Sequence, residues 1–318
     1  MNRKKLITTA IALVATLGMT AAPAHAATKQ KVVGMVALVA TDSLNKAVID
    51  GATSVARTNG WKVVVTDTQG SPAKANSAMI AFATTQKVDA IIVMAFHSSA
   101  LGAGLAAANK AKIPVGSWGG EIVPGVVVTT SAAAAGTTSA NGLLKLVGKK
   151  GSVLALQYHT GVLCYFRGLS FDSIMAATPG ITVTNNEVQI PGQVQSGQSY
   201  TAAWLASHPA GGESLGIWGT WDEPAMGAVA ALKQAGRTDV HVVAINGGPQ
   251  ALAAVQDGSI EQVVWQNGVE EGVQIMKGIV GSIKAGKAWK AKMVNIPALL
   301  IDKTNIAAFL ASHPKAMS

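Results

Sequence analysis

The residues that could carry out catalysis are scattered along this chain rather than grouped at catalytic spacings. His97, His159 and His241 each stand alone, without a second histidine about three to five positions away. No G-x-S-x-G motif offers a nucleophilic serine. The sequence therefore indicates a protein that is not an enzyme and that uses no metal ion and no cofactor.

One glycine pattern invites a nucleotide-binding interpretation. Gly102, Gly104 and Ala107 match G-x-G-x-x-A, but a true dinucleotide fingerprint opens its helix directly after a strand and has an acidic residue about twenty positions on. Here the glycines lie inside a helical stretch, several residues past the apolar run that ends at Ala95. We interpret them as positions of close packing between a helix and a sheet.

The tryptophans carry more information, because four of the seven stand where apolar, strand-like runs end. In open parallel sheets, ligands bind at the carboxyl ends of the strands. Trp118 and Trp221 lie just beyond such runs, in loop sequences, and we expect both to line a cleft. For Trp218 and Trp265, which end their runs, the sequence leaves core and cleft positions equally open.

Polar side chains occupy equivalent strand ends. They are Asp42, Arg167, Asn246 and Gln266. Such groups fix a small molecule by directed hydrogen bonds, while aromatic faces supply contact area for sugar C–H surfaces, aromatic rings or cations. We therefore predict a binding site for a small molecule at this edge.

The elements that must position these residues alternate in type. Short β-branched runs, such as 31–39, 89–95 and 113–117, are apolar nearly throughout, which is typical of parallel strands covered on both faces by helices. A stretch of small residues at 129–141 interrupts the alternation, which then restarts. We expect an α/β fold with two doubly wound lobes. A final helix at 268–283 and a strand at 293–300 exceed what a second lobe needs and suggest a crossing back to the first.

The N-terminal segment has the pattern of an export signal. Arg3, Lys4 and Lys5 precede an apolar run at 6–19, and Ala24-His25-Ala26 forms a small-x-small cleavage site. The apolar run is too short to span a bilayer. We expect cleavage near Ala26–Ala27 and a soluble protein of the bacterial periplasm.

Charge and cysteine content exclude some classes of protein. The formal net charge is +9, but the lysines are spread through helical segments and form no dense basic run, which argues against nucleic-acid binding. The single cysteine, Cys164, excludes an internal disulfide, and we interpret it as a small buried or pocket-lining residue.

Several motifs together resemble a known family. They are the run DEPAMGA at 222–228, the following VHVVAINGGPQALAAVQDGSIEQVVWQ, the IPV strand, and Arg167-Gly168 with Phe171. Over essentially all of the chain after residue 26, the sequence resembles periplasmic sugar-binding proteins of the ribose-binding type, which deliver ligands to ABC transporters.

This resemblance implies two Rossmann-like lobes joined by a three-crossing hinge, with the ligand held in the cleft between them by hinge closure. The crossings would fall near 131–132, 266–267 and 295–296. The first lobe would then comprise 27–131 with 267–295, and the second 132–266 with 296–318.

The resemblance also implies roles for the polar residues. Arg167 stands where the family has a ligand-binding arginine, and Gln266 where it has a hinge-side glutamine. Asn246 stands where it has a sugar-binding aspartate, and Asp42 falls at a polar ligand position in the first loop.

Three departures bear on the ligand. Gly119-Gly120 replace the Asp-Arg pair that usually grips sugar hydroxyls after the IPV strand, Leu44-Asn45 replace an aromatic pair, and Trp221 replaces an asparagine. A sugar or polyol is the ligand that the resemblance implies. The redistributed aromatic residues keep an aromatic or quaternary-amine ligand open as the alternative.

The predicted function is capture of a small molecule and its delivery to an ABC transporter permease. We expect a monomer, with a chemoreceptor as a compatible second partner. An exported enzyme is the alternative class, and the absence of clustered catalytic residues in the sequence opposes it.

Overall fold

The computed structural model describes residues 29–131 and 133–317; the predicted export signal lies outside them. The strands are β1 (Val32–Ala37), β2 (Lys62–Asp67), β3 (Ala90–Met94), β4 (Val115–Trp118), β5 (Val126–Ser131), β6 (Gly151–Gln157), β7 (Ile181–Glu187), β8 (Leu215–Gly219), β9 (Val240–Asn246), β10 (Gln262–Trp265), β11 (Lys292–Asn295) and β12 (Leu299–Asp302).

The helices follow the strands along the chain. They are α1 (Ser43–Thr58), α2 (Pro72–Thr84), α3 (Gly102–Lys110), α4 (Ala133–Val147), α5 (Val162–Ala176), α6 (Gln193–Ser207), α7 (Asp222–Ala235), α8 (Pro249–Asp257), α9 (Gly268–Ala285) and α10 (Ile306–Ser312). Two single 3₁₀ turns lie at Ser98–Leu101 and Gly286–Ala288.

The strands form two separate six-stranded sheets. The first has the order β11-β5-β4-β3-β1-β2 and is parallel throughout. The second has the order β12-β10-β9-β8-β6-β7 and is parallel except for β12, which runs antiparallel to β10. Strands β3, β6 and β8 are buried along their whole length, as expected for parallel strands between helical layers.

The chain passes between the sheets three times, after β5, after β10 and after β11. We refer to each sheet with its packed helices as a lobe: α1, α2, α3 and α9 belong to the first lobe, and the other helices to the second. The predicted α/β fold with two lobes and three crossings is thereby confirmed.

Local sequence signals explain where the first helices begin. Asp42 precedes α1 and its side chain accepts a hydrogen bond from the Asn45 amide at 2.9 Å. Ser71 precedes α2 in the same way, and Pro72 occupies the first helical position, where its missing amide hydrogen costs nothing. Each cap satisfies an amide group that the helix itself cannot pair.

The predicted strand at 293–300 is wrong in one respect. The segment forms two short strands in different sheets, β11 and β12, rather than one. Pro297 stands between them, and proline cannot donate a hydrogen bond to a neighbouring strand. The apolar run therefore breaks at the third crossing.

Two glycines allow α1 and α9 to approach closely. A Cβ atom at Gly51 would lie 2.0 Å from the Val269 carbonyl oxygen, and one at Gly272 would lie 2.0 Å from that of Val48. No side chain fits at such distances, so α9 returns to the first lobe along a contact that only glycine permits.

The Gly272→Ala substitution should therefore destabilise the protein, because its methyl group must push the two helices apart. We expect a loss of about 1–3 kcal/mol, which lowers Tm by about 3–10 °C in a scanning calorimetry experiment. Gly102→Ala is the matched control, since a Cβ there meets no atom within 4 Å, and its Tm should not fall. An unchanged Tm for Gly272→Ala would contradict this packing.

Candidate functional site

A cavity lies between the two lobes at the carboxyl ends of the parallel strands. It encloses about 440 Å³ of space free of protein atoms, part of which is open to solvent. The first lobe contributes Leu38, Val39, Asp42, Asn45, Ala95 and Trp118, and the second contributes Tyr158, Gly161, Leu163, Cys164, Arg167, Ile190, Trp221, Glu223 and Asn246.

Five of the six predicted site residues line this cavity. They are Asp42, Trp118, Arg167, Trp221 and Asn246. The sixth, Gln266, stands behind the wall and accepts a hydrogen bond from the Arg167 guanidinium. The structure therefore brings together side chains from the ends of β1, β4, β8, β9 and β10, which are far apart in the sequence.

Arg167 is the central cation of the second lobe and is 1% exposed. Its Nη1 atom donates to the Thr220 carbonyl oxygen at 2.8 Å, and Nη2 donates to Asn246 Oδ1 at 3.0 Å as well as to Gln266. Gly136 on α4 makes room for it, because a Cβ there would lie 2.6 Å from the Arg167 Cα. The guanidinium thus joins the ends of β8, β9 and β10 to α5.

Trp118 is fixed by the helix that returns to the first lobe. Its indole Nε1 donates a very short hydrogen bond to the carboxylate of Glu271 on α9. Burial raises the pKa of Glu271 to about 7, while the hydrogen bond from Trp118 and the charge of Arg167 act in the opposite direction. The ring is consequently held at the end of β4 as a wall of the cavity.

Trp221 forms the facing aromatic wall with Tyr158. The two rings meet edge to face, with centroids 5.8 Å apart and an interplanar angle of 62°. The Trp221 Nε1 atom lies 3.5 Å from Glu223 Oε2, which also accepts a hydrogen bond from Gln193 at 2.6 Å. The apolar faces are therefore bordered by a carboxylate.

Acidic groups accumulate around the cavity. Asp42 Oδ1 accepts hydrogen bonds from the backbone amide and the side-chain amide of Asn45, each at 2.9 Å. Asp222, at the start of α7, accepts from the Gly248 amide at 2.7 Å. Burial raises the pKa of Asp42, of Glu223 and of Asp222, the last to about 7, and the charge of Asp42 further raises the pKa of the other two.

Two buried polar atoms of the cavity wall have no hydrogen-bond partner among the residues described here. They are Asn45 Oδ1, an acceptor, and Arg167 Nε, a donor. Unpaired buried polar groups are costly, and native proteins rarely keep them. Both atoms belong to residues that line the cavity, where a ligand can pair with them.

The two lobes touch beside the cavity, where α5 begins. The Val162 amide donates to the Ala95 carbonyl oxygen at 2.9 Å across the cleft. Gly119 has φ +82°, and a Cβ atom there would lie 2.4 Å from Leu163 Cδ2 in the other lobe. The glycine that replaces the expected hydroxyl-gripping residue thus lets the lobes approach closely at this point.

The structure also places the two tryptophans that the sequence left open. Trp218 is fully buried in the second lobe, stacks on Phe171 at 4.3 Å and donates to Ser139 Oγ. Trp265 packs against Phe309 and His313 instead of the cavity. Neither contributes to the site.

Sequence reasoning missed several lining residues, of which Asn45 and Glu223 matter most because they are polar. In the sequence, Asn45 is notable only because it stands where the family has an aromatic residue, and Glu223 only because it lies close to Trp221. Both are polar residues near the start of a helix, α1 or α7, and each lies close to a predicted site residue, Asp42 or Trp221. This position is the sequence signal that could have identified them. Cys164 does line the cavity, and burial raises the pKa of its thiol.

Within residues 29–131 and 133–317, no three His, Cys, Asp or Glu side chains come together in a way that could hold a metal ion. No helix in the same part of the chain is both long and apolar enough to cross a membrane.

Comparison with known proteins identifies relatives over nearly the whole chain. A family model described as "Periplasmic binding protein domain" matches residues 33–287. The ribose import binding protein of Salmonella typhimurium is 28% identical over 289 residues, which cover 87% of this chain and 94% of that protein. The xylitol-binding protein of Mycolicibacterium smegmatis is 28% identical over 227 residues, covering 70% of this chain and 64% of that protein.

Solved structures show the same architecture. An ABC sugar transporter subunit from Rhodobacter sphaeroides superposes with a TM-score of 0.78 at 25% identity, covering 86% of this chain and 99% of that one. An ABC transporter solute-binding protein from Agrobacterium vitis with bound allitol gives a TM-score of 0.80 at 23% identity, covering 89% and 99%. At this identity, the second comparison bears on the fold alone.

The raised pKa values of Asp222 and Glu271 predict how the stability of the ligand-free protein depends on pH. Each group holds its proton more tightly when folded than when unfolded, so the folded state binds more protons between about pH 4 and pH 7. The free energy of unfolding should therefore fall as pH rises through this window. We expect Tm to be higher near pH 5 than near pH 8 by about 5 °C.

The Asp222→Asn variant should show about half of this dependence, because Glu271 remains. Asparagine still offers an oxygen to the Gly248 amide, so the local contact survives. Asp50→Asn, which removes an exposed carboxylate from α1, is the control and should keep the full dependence. A wild-type Tm that does not change with pH, or an undiminished slope in Asp222→Asn, would contradict the assignment.

Proposed function

The chain belongs to the periplasmic binding protein family, and on this premise we propose that it captures a small sugar- or polyol-class ligand between its lobes and delivers it to an ABC importer. The observation that carries the proposal is the cavity itself. It lies at the carboxyl ends of the parallel strands of both sheets, and Trp118 and Trp221 form two of its walls. Two buried atoms of its lining residues, Asn45 Oδ1 and Arg167 Nε, have no hydrogen-bond partner among the described residues.

The comparisons support this ligand class. The relatives are named for ribose import and for xylitol binding. Sugars and polyols present C–H faces that pack on aromatic rings, and hydroxyls that both donate and accept hydrogen bonds. The cavity offers both kinds of surface.

In the proposed mechanism the lobes move as two bodies about the three crossings. We assign 27–131 with 267–295 to one body and 132–266 with 296–318 to the other. Ligand must bind the closed state better than the open one, because only differential affinity shifts such an equilibrium. Asp42, Trp118, Arg167, Trp221 and Asn246 bind it, and Gln266 holds Arg167 in place.

The remaining parts of the proposal concern location, partners and chemistry. The protein acts in the periplasm after removal of residues 1–26, as a monomer, and its closed form docks on the membrane permease of the importer. A chemoreceptor is a second compatible partner. It performs no chemical step on the ligand.

Ligand-dependent stability tests the role. Purified protein, refolded to strip any carried compound, is heated with each member of a panel of pentoses, hexoses, pentitols and hexitols, together with their amino derivatives. A ligand at about 100 times its Kd adds about 2.7 kcal/mol, a Tm increase of about 5–10 °C. A panel without a single stabilising compound would overturn the proposed ligand class.

For any compound that binds, the Trp221→Ala variant should weaken binding by more than about tenfold, because a large apolar face is lost. Trp289→Ala is the matched control. Trp289 donates to the Val127 carbonyl oxygen on the first lobe and does not line the cavity. Isothermal titration calorimetry measures both, and an unchanged Kd in Trp221→Ala would remove that residue from the site.

A further inference from the structure

The cleft contains more acidic than basic side chains. Four carboxyl groups stand in the cavity wall or directly behind it: Asp42 and Glu223 line it, Asp222 contacts Asn246, and Glu271 holds Trp118. Arg167 is the one cationic side chain among the described lining residues. A cleft of this composition carries an excess of negative charge whenever the acids ionise.

The guanidinium does not neutralise any of these acids directly. Its hydrogen bonds go to the Thr220 carbonyl oxygen and to the side-chain oxygens of Asn246 and Gln266, which are all neutral. Among the described residues, none of the four carboxyl groups forms a salt bridge. A buried carboxylate without a cation is costly, so the site is incomplete in its charge as well as in its hydrogen bonds.

The unsatisfied atoms at the first-lobe end of the cavity are acceptors. Asn45 Oδ1 is buried without a partner, and Asn45 itself is 5% exposed. Both hydrogen bonds from Asn45 to Asp42 fall on Oδ1, and a carboxylate offers further acceptor sites beside it. A group with several N–H donors and no acceptor fits this end, and a protonated amine is such a group.

The aromatic residues of the cavity also favour a positively charged ligand. The π-faces of tyrosine and tryptophan attract cations, most strongly where water is excluded. Tyr158 and Trp221 line the cavity together with Glu223, whose carboxylate borders the Trp221 indole. Aromatic and acidic surfaces therefore converge on one part of the cleft.

We propose that the ligand carries a protonated amine with N–H groups, which binds Asp42 and Asn45 and is balanced by the negative charge of Glu223. The inference rests on the proposed function and narrows its ligand class to amino sugars and amino polyols. The hydroxyl-bearing part of the ligand pairs with Arg167 Nε and packs against Trp118. A quaternary amine lacks N–H groups and leaves Asn45 Oδ1 unpaired.

Matched pairs of compounds test the charge separately from the skeleton. D-Sorbitol is compared with 1-amino-1-deoxy-D-sorbitol, ribitol with 1-amino-1-deoxyribitol, and D-glucose with D-glucosamine, by isothermal titration calorimetry of the wild-type protein. In at least one pair, the amino compound should bind more tightly by about tenfold or more. Its N,N,N-trimethyl derivative should bind more weakly than the primary amine.

The Asp42→Asn variant locates the effect. Asparagine caps a helix about as well as aspartate, so α1 should persist, and the Tm of the ligand-free variant checks this. The preference for the amino compound should fall to within about threefold of its neutral partner, because the charge that distinguishes the two compounds has lost its carboxylate. Asp50→Asn removes a carboxylate from the same helix outside the cavity and should keep the preference.

Each other outcome is decisive. If neutral compounds bind as tightly as their amines or more tightly, or if Asp42→Asn weakens both members of a pair equally, the ammonium site is wrong and the sugar- or polyol-binding function stands. If no compound of either kind binds, the proposed function fails with it.

Discussion

The burial of the Arg167 guanidinium is the constraint on which the second lobe's side of the cleft depends. Strands β8, β9 and β10 each end in an oxygen that this group binds, from Thr220, Asn246 and Gln266 respectively. Because these strands are parallel, their carboxyl ends lie at the same edge of the sheet, and so do the three oxygens. Gly136 on α4 lets α5 pack closely against α4, which allows Arg167 to reach that edge of the sheet.

The first lobe meets this edge with acidic and aromatic groups rather than with a second cation. Asp42 lies at the start of α1, and Trp118 is held by Glu271 on the helix that returns from the second lobe. Helix α9 therefore has two functions: it completes the first lobe and it orients one wall of the cavity. Hinge and site are connected through this helix.

Much of this site is predictable because it depends on the edge of a parallel sheet. Trp118, Trp221 and Asn246 stand at the ends of apolar runs, and the topology alone brings the ends of such runs together. Arg167 reaches the same edge from within α5 instead. The two-lobe fold follows from the alternation of apolar runs and helical stretches, and from the surplus segment after residue 268.

Some features of the site are not predictable from the sequence. They depend on contacts between the lobes and on the packing partners of individual residues. The approach of Leu163 to Gly119 arises only once both lobes are in place. Trp218 and Trp265 end similar apolar runs, yet one stacks on Phe171 in the core and the other packs beside α10. Periodicity does not distinguish these environments, since the partner helices come from distant segments.

The central claim is that a cationic ligand completes the charge of a buried acidic cleft, and the number of protons exchanged on binding tests it most directly. Calorimetric titration with the tightest-binding amine of the set, near pH 6.5 in buffers of different ionisation enthalpy, gives this number. The amine is already protonated there, so released protons come from the carboxyl groups whose pKa burial raises to about 7, Asp222 and Glu271. Release of about half a proton to one proton per ligand is predicted. No exchange, or uptake of protons, would contradict the account.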